Sequence, residues 1–224
     1  MSDIVNDASA VSAESNEEKP EAMLTAIEAR ILGALMEKQL TTPDAYPLTL
    51  NSLVLACNQK TSREPVTNLT EGEVKRCLYQ LQDRKLVVFD YGSRAEKFSQ
   101  HLTKTLHFDK AEHSLFCIML LRGPQTMSEL LTRTRRMYDF SGLNEVSDLL
   151  EKLLNRITPL IVKLPHLPGQ REDRYMHLLC GKPDLATVVK STAVASSSDL
   201  TARVEELERQ VAWLMEQLGE TDSH

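Results

Sequence analysis

Thr70 to Tyr91 reads TEGEVKRCLYQLQDRKLVVFDY, and the spacing of its apolar residues changes once along the way. Val74, Cys77, Leu78 and Leu81 recur at helical spacing behind Thr70 and Glu73, which have the Thr-x-x-Glu spacing of a capping box. From Leu86 to Tyr91 the run turns to Val and aromatics and reads as a strand. Gly92-Ser93 is a turn, and Lys97 to Phe108 is expected to return as the second strand. Working back toward the N-terminus, Leu24, Ile27, Ile31 and Leu35 mark a helix from Leu24 to Leu40, with Thr25 and Glu28 as its capping box. Thr41, Thr42, Pro43, Asp44 and Pro47 break it, and Leu50, Leu53, Val54 and Cys57 form a second apolar face behind Thr49. Three helices closed by a hairpin make a winged helix-turn-helix unit.

The pattern then recurs. Glu112 to Leu121 is a helix, and Pro124-Gln125-Thr126-Met127-Ser128-Glu129-Leu130 echoes Pro47-Leu48-Thr49-Leu50-Asn51-Ser52-Leu53. Asn144 to Ile157 is a third helix with Val146, Leu149, Leu150, Leu153 and Leu154 inside. Leu160 to Leu164 and Arg174 to Cys180 are the strands flanking a polar tip at Pro168 to Asp173. The expected fold is therefore mainly α with small β-hairpins, an α+β class: two tandem winged helix-turn-helix domains, residues 22–110 and 111–180. A single irregular helical domain is the alternative. Residues 1–21 read as a disordered acidic tail and 181–198 as a linker. Residues 199–219 read as a coiled-coil helix with its seam at Val204, Leu207, Val211, Leu214 and Leu218. That seam makes a homodimer through the C-terminal helix the expectation, and an amphipathic helix docked on its own chain the alternative.

Charge is unevenly spread. The chain of 224 residues has a formal net charge of −6. Residues 1–21 hold 1 Lys/Arg against 6 Asp/Glu and residues 181–224 hold 4 against 8. Residues 22–110 hold 12 against 10, and residues 111–180 hold 9 against 8. A modestly basic middle between acidic ends is compatible with double-stranded DNA as a partner without requiring it. No run approaches a membrane span, and the first twenty residues lack the anatomy of a secretory signal, so a cytoplasmic protein with no membrane association is expected. Cys57, Cys77, Cys117 and Cys180 form no CxxC pair and are expected to be reduced core thiols. There is no phosphate-binding Gly loop, no GxSxG and no HExxH, and the six histidines show no ligand spacing. Neither an enzyme nor a cofactor or metal is expected.

If Val74, Cys77, Leu78 and Leu81 face the core, the opposite face of that helix carries Gly72, Lys75, Arg76, Tyr79, Gln80 and Asp83. Asn58, Gln59, Lys60 and Arg63 lie in the joint before it, and Arg94 and Lys97 in the hairpin. These are the places where a winged helix meets bases and phosphates, so the DNA-binding candidates are Asn58, Gln59, Lys60, Arg63, Lys75, Arg76, Tyr79, Gln80, Arg94 and Lys97. The competing reading is ordinary solvation of helix faces, with Asn58 and Gln59 capping the second helix and Pro65 and Val66 fixing the joint. In the second unit the exposed helix face carries Asn144, Glu145, Asp148 and Glu151, and the carboxylates of the last three would repel phosphate. Arg133, Arg135 and Arg136 on the preceding helix fit a phosphate backbone or an acidic partner equally well.

Glu37-Lys38, Thr41 through Pro47 (TTPDAYP), Ala56-Cys57-Asn58-Gln59-Lys60 and Arg63-Glu64-Pro65-Val66 resemble the YceH-like family of bacterial proteins over residues 22–180. The resemblance implies a tandem winged-helix fold in a bacterial cytosol and supplies no activity, so no site residue is carried over from it. Two functions compete. One is a DNA-binding, transcription-type regulator using the third helix and wing of the first domain. The other is a tandem winged-helix scaffold for a protein partner, as in chromosome-segregation accessory subunits.

Overall fold

The computed structural model describes residues 23–92, 95–165 and 172–183. Its described residues form seven α-helices and two three-stranded antiparallel sheets, a mixed α/β structure. Along the chain α1 (Ala26–Thr41) leads through a 3-10 turn at Pro43–Ala45 to β1 (Leu48–Thr49), α2 (Leu50–Cys57), α3 (Glu71–Asp83), β2 (Val87–Tyr91) and β3 (Glu96–Gln100). After a short α4 (Leu102–Thr105), the order helix, strand, helix, helix, hairpin is repeated. It runs as α5 (Lys110–Arg122), β4 (Gln125–Thr126), α6 (Met127–Thr134), α7 (Leu143–Leu154), β5 (Ile161–Leu164) and β6 (Arg174–His177). The sheet orders, β1-β3-β2 and β4-β6-β5, match as well. In each, a two-residue strand pairs with the far arm of the hairpin, Leu48 opposite Phe98 and Gln125 opposite Tyr175.

Local chemistry sets most helix starts. Thr25, Thr70, Asp109 and Thr126 each accept the amide three residues on, while the glutamate there bonds back to the cap amide. Each such box satisfies two helix N–H groups that have no partner inside the helix. Thr49 caps α2 through the Ser52 amide.

One expected element is different. The return strand over Lys97–Phe108 ends at Gln100, because the Gln100 side chain accepts the Thr103 amide at 3.0 Å and donates to Thr103 Oγ1 at 2.7 Å. That bond turns the chain into α4, whose Leu102 is fully buried. Meanwhile the Gln100 amide donates to the Tyr46 hydroxyl at 2.7 Å, and burial pushes the Tyr46 phenol up to about 12.

α1 and α5 are buried nearly all round, from Glu28 to Met36 and from Glu112 to Leu121, which is what a helix at the centre of a core requires. They pack on each other at Gly33, where an added Cβ would lie 3.0 Å from Leu120 Cβ and from Leu121 Cδ2. His113 Nε2 lies 3.1 Å from the Met36 carbonyl oxygen, and the Cys117 thiol donates to the Gly33 carbonyl at 3.5 Å. The Glu64 amide reaches the Leu121 carbonyl at 2.8 Å, and one apolar cluster runs through both halves.

Cys57, Cys77 and Cys117 are buried free thiols, and Cys180 is partly buried. Burial raises the thiol pKa at all four, so none is poised as a thiolate. No helix among the described residues is long and apolar enough to cross a membrane. The acidic tail (1–21), nearly all of the linker (181–198), and the heptad residues Val204, Leu207, Val211, Leu214 and Leu218 lie outside the described residues.

Candidate nucleic-acid interface

α3 presents two faces, as its periodicity requires. Val74, Cys77, Leu78 and Leu81 are buried, and Gly72, Lys75, Arg76, Tyr79, Gln80 and Asp83 are exposed. Among the described residues neither Lys75 nor Arg76 makes a hydrogen bond or an ion pair. Glu73, by contrast, is committed to the cap: the Thr70 amide and hydroxyl donate to it and hold its carboxyl below the ordinary range. At the other end of the helix Arg84 bonds the Met23 carbonyl and pairs with Glu28.

The joint before α3 departs from the expected surface. Arg63 has a side chain with 0% exposure and lies inward. Its Nε donates to the Ala56 carbonyl at 2.9 Å, and its two terminal nitrogens straddle Glu37 at 3.1 and 2.6 Å. Nη2 also donates to Gln59 Oε1 at 2.8 Å, so Gln59 is held by the same group. Burial raises the Glu37 carboxyl, but the Arg63 bonds and charge, with Lys38 alongside, outweigh it and leave the pKa below the ordinary range. Asn58 accepts the Leu69 amide and donates to the Leu69 carbonyl, both at 2.8 Å. Arg63, Gln59 and Asn58 therefore build the joint from within, and of its four candidates only Lys60 is exposed.

Arg30, which sequence reading did not single out, belongs to the same inner layer. It donates to the Cys57 carbonyl at 3.3 Å and the Pro65 carbonyl at 2.6 Å. Its only sequence signal is an arginine set among the apolar residues of α1.

In the hairpin Lys97 is exposed but sits opposite Asp90 across the strands, so the local charge is balanced. Arg94 lies outside the described residues. An aromatic row joins helix to hairpin: Tyr79 is 5.4 Å from Phe89, which lies 6.2 Å from Tyr91 and 4.8 Å edge-on from Phe98. Phe98 is fully buried, whereas Tyr79 and Tyr91 are 45% and 71% exposed. The structure thus brings Lys75, Arg76, Tyr79 and Gln80 onto one strip of α3, beside an aromatic edge.

The second half offers less. Asn144, Asp148 and Glu151 are exposed on α7, while Glu145 is taken up by the Ser141 amide at 2.7 Å and the Tyr138 hydroxyl at 2.9 Å. Arg133 pairs with Glu129 at 3.5 Å and also bonds Gln125, leaving Arg135 and Arg136 as the exposed arginines there. No group of three or more His, Cys, Asp or Glu among the described residues is placed to hold a metal ion.

Residues 24–170 match the family described as "Protein of unknown function, DUF480". The chain is 56% identical over 198 residues to a UPF0502 protein of Cellvibrio japonicus, covering 88% of this chain and 90% of the relative. It is 51% identical over 195 residues to a UPF0502 protein of Ectopseudomonas mendocina, covering 85% and 89%. To the UPF0502 protein YceH of Salmonella newport it is 46% identical over 208 residues, covering 90% and 97%. With the matched segment running from the start of α1 past β5, and the relatives aligned over most of their length, this chain belongs to the DUF480 family, the YceH-like group its Ala56-to-Lys60 run resembles.

Proposed function

We propose that this is a tandem winged-helix protein of the bacterial cytosol, with domains at 22–110 and 111–180, that binds duplex DNA through α3 and the β2–β3 hairpin as a non-enzymatic regulator. The observation that carries the reading is the α3 strip. Lys75, Arg76 and Gln80 project from one exposed face, and among the described residues their side chains are not consumed by bonds. Arginine and glutamine side chains can pair bidentately with base edges in the major groove, and lysine can neutralise phosphate. Dimerisation through Val204, Leu207, Val211, Leu214 and Leu218 would bring two such helices to one duplex.

Titrating full-length protein with duplex DNA at several salt concentrations tests this. Lys60, Lys75, Arg76 and Lys97 are the exposed cations among the described candidates of the joint, α3 and the hairpin, so with all four on phosphate the expected log–log slope is about −3 to −4, near −0.9 per phosphate. Arg76→Ala is expected to weaken specific binding by about 1–3 kcal/mol if it reads a base. An equal loss on every sequence would reassign it to phosphate, and no binding at low salt ends the DNA reading.

In that event the protein-scaffold reading takes its place. Its support is the exposed Tyr79 and Tyr91, since tyrosine is enriched at protein interfaces.

A further inference from the structure

The described chain begins at Met23, and Met23 is fastened to the C-terminal end of α3. Arg84 donates to the Met23 carbonyl and pairs with Glu28. The other end of the described chain lies at the same corner, because the Leu24 amide donates to the Leu179 carbonyl at 2.7 Å. Residues 1–21, with 6 carboxylates against one lysine, are therefore tethered beside the helix that carries Lys75 and Arg76. Lys85 follows Arg84, exposed and with a positive φ of 58°.

We propose that the acidic segment before Met23 docks on the cationic face of α3 and competes there with polyanions. Reach supports this. From Arg84 back to Arg76 is two turns of helix, about 12 Å. Glu17 and Glu18 precede Met23 by a distance that an extended chain can stretch to about 18 Å, and Glu14 extends it further. Glu21, two residues before Met23 in sequence, would then pair with Lys85. A tether of this length holds the carboxylates at an effective concentration of about 1 mM, so several carboxylates pairing together with a dissociation constant of about 0.1 mM would keep the face about nine-tenths occupied. Charge complementarity selects the partner. Glu71 and Glu73 lie at the far, N-terminal end of α3, and the cap holds Glu73, so on the stretch beyond them Lys75, Arg76 and Lys85 outnumber the one exposed carboxylate, Asp83, and the acidic chain is drawn there. The docking itself needs no DNA, but the competition rests on the DNA-binding reading.

Two measurements on the full-length protein separate these. Carbodiimide coupling, which joins adjacent carboxylates and lysines, should link Glu14, Glu17 or Glu18 to Lys75, and Glu21 to Lys85. These links should disappear at about 0.5 M salt, where charges more than a few ångströms apart are screened. In the second measurement, deleting residues 2–20 should tighten duplex binding at low salt. If the face is about nine-tenths occupied by the tail, the gain is about tenfold and fades at high salt. Glu14→Gln, Glu17→Gln and Glu18→Gln combined should act like the deletion.

Links to Lys75 without DNA binding by either form uphold the docking and defeat the DNA reading. Links scattered evenly over exposed lysines such as Lys60 and Lys110 overturn the docking. A duplex affinity that the deletion leaves unchanged overturns the competition, because duplex and tail then do not share this face; the docking stands or falls on the links alone.

Discussion

Replacing Arg63 by alanine is expected to lower the free energy of unfolding by about 3–5 kcal/mol, the usual cost of removing one partner of a buried ion pair. The loss is large because it is compound. Glu37 would keep its half-buried position without its bidentate partner, and the Ala56 carbonyl and Gln59 would each lose a donor.

The pH dependence of the defect identifies its cause. In the native chain Glu37 has a pKa below its unfolded value, so its contribution to stability is complete above the ordinary carboxylate range and is lost as pH falls through the depressed value. Without Arg63 only Lys38 still opposes the effect of burial, so the Glu37 pKa rises from its native value and the variant protonates that carboxyl at a higher pH. The gap between the two proteins should therefore narrow as pH drops below about 5. Urea unfolding at pH 7 and pH 4.5 measures this. A gap equal at both values would mean that Arg63 acts through packing alone. Duplex affinity, where the variant still folds, should barely change, because Arg63 has no surface to offer a ligand.

Phe98→Ala is expected to cost about 3–5 kcal/mol, as for other fully buried aromatics. Phe98 is the inner anchor of the hairpin. It lies opposite both Leu48 and Phe89 in the sheet and packs edge-on against the Phe89 ring. Truncating it leaves a void under β2 and β3 and removes the support behind the row that runs through Phe89 to Tyr79. Amide exchange at Val87, Phe89 and Phe98 should accelerate more than exchange in α5. Uniform acceleration would show that the hairpin is no less secure than the core.

How much was legible beforehand follows from how local each cause is. The boxes at Thr25 and Thr70 and the two faces of α3 are written within four residues of sequence, and the structure has them where the pattern indicates. The repeat was legible for the same reason, since Thr49 and Thr126 each start a helix inside a similar heptapeptide. Arg63 was not legible as an inner residue because its partner, Glu37, lies far upstream, and an arginine in a polar loop looks the same whether it turns in or out. The strand expected over Lys97–Phe108 failed because one side chain, Gln100, bonds forward to Thr103. The Asp109 cap escaped notice for a simpler reason: the helix it starts was expected to begin two residues later.

The contact at Gly33 has a bearing on the handling of the molecule. Two halves with the same order of elements would ordinarily be free to part. Here α1 and α5, the first helix of each half, lie against one another, with room for a hydrogen at Gly33 and little more. Neither half can then be excised without stripping oil-like surface from the other. Heating should melt both in one event, with matching calorimetric and van't Hoff enthalpies. A side chain at Gly33 should be tolerated only where Leu120 and Leu121 give way.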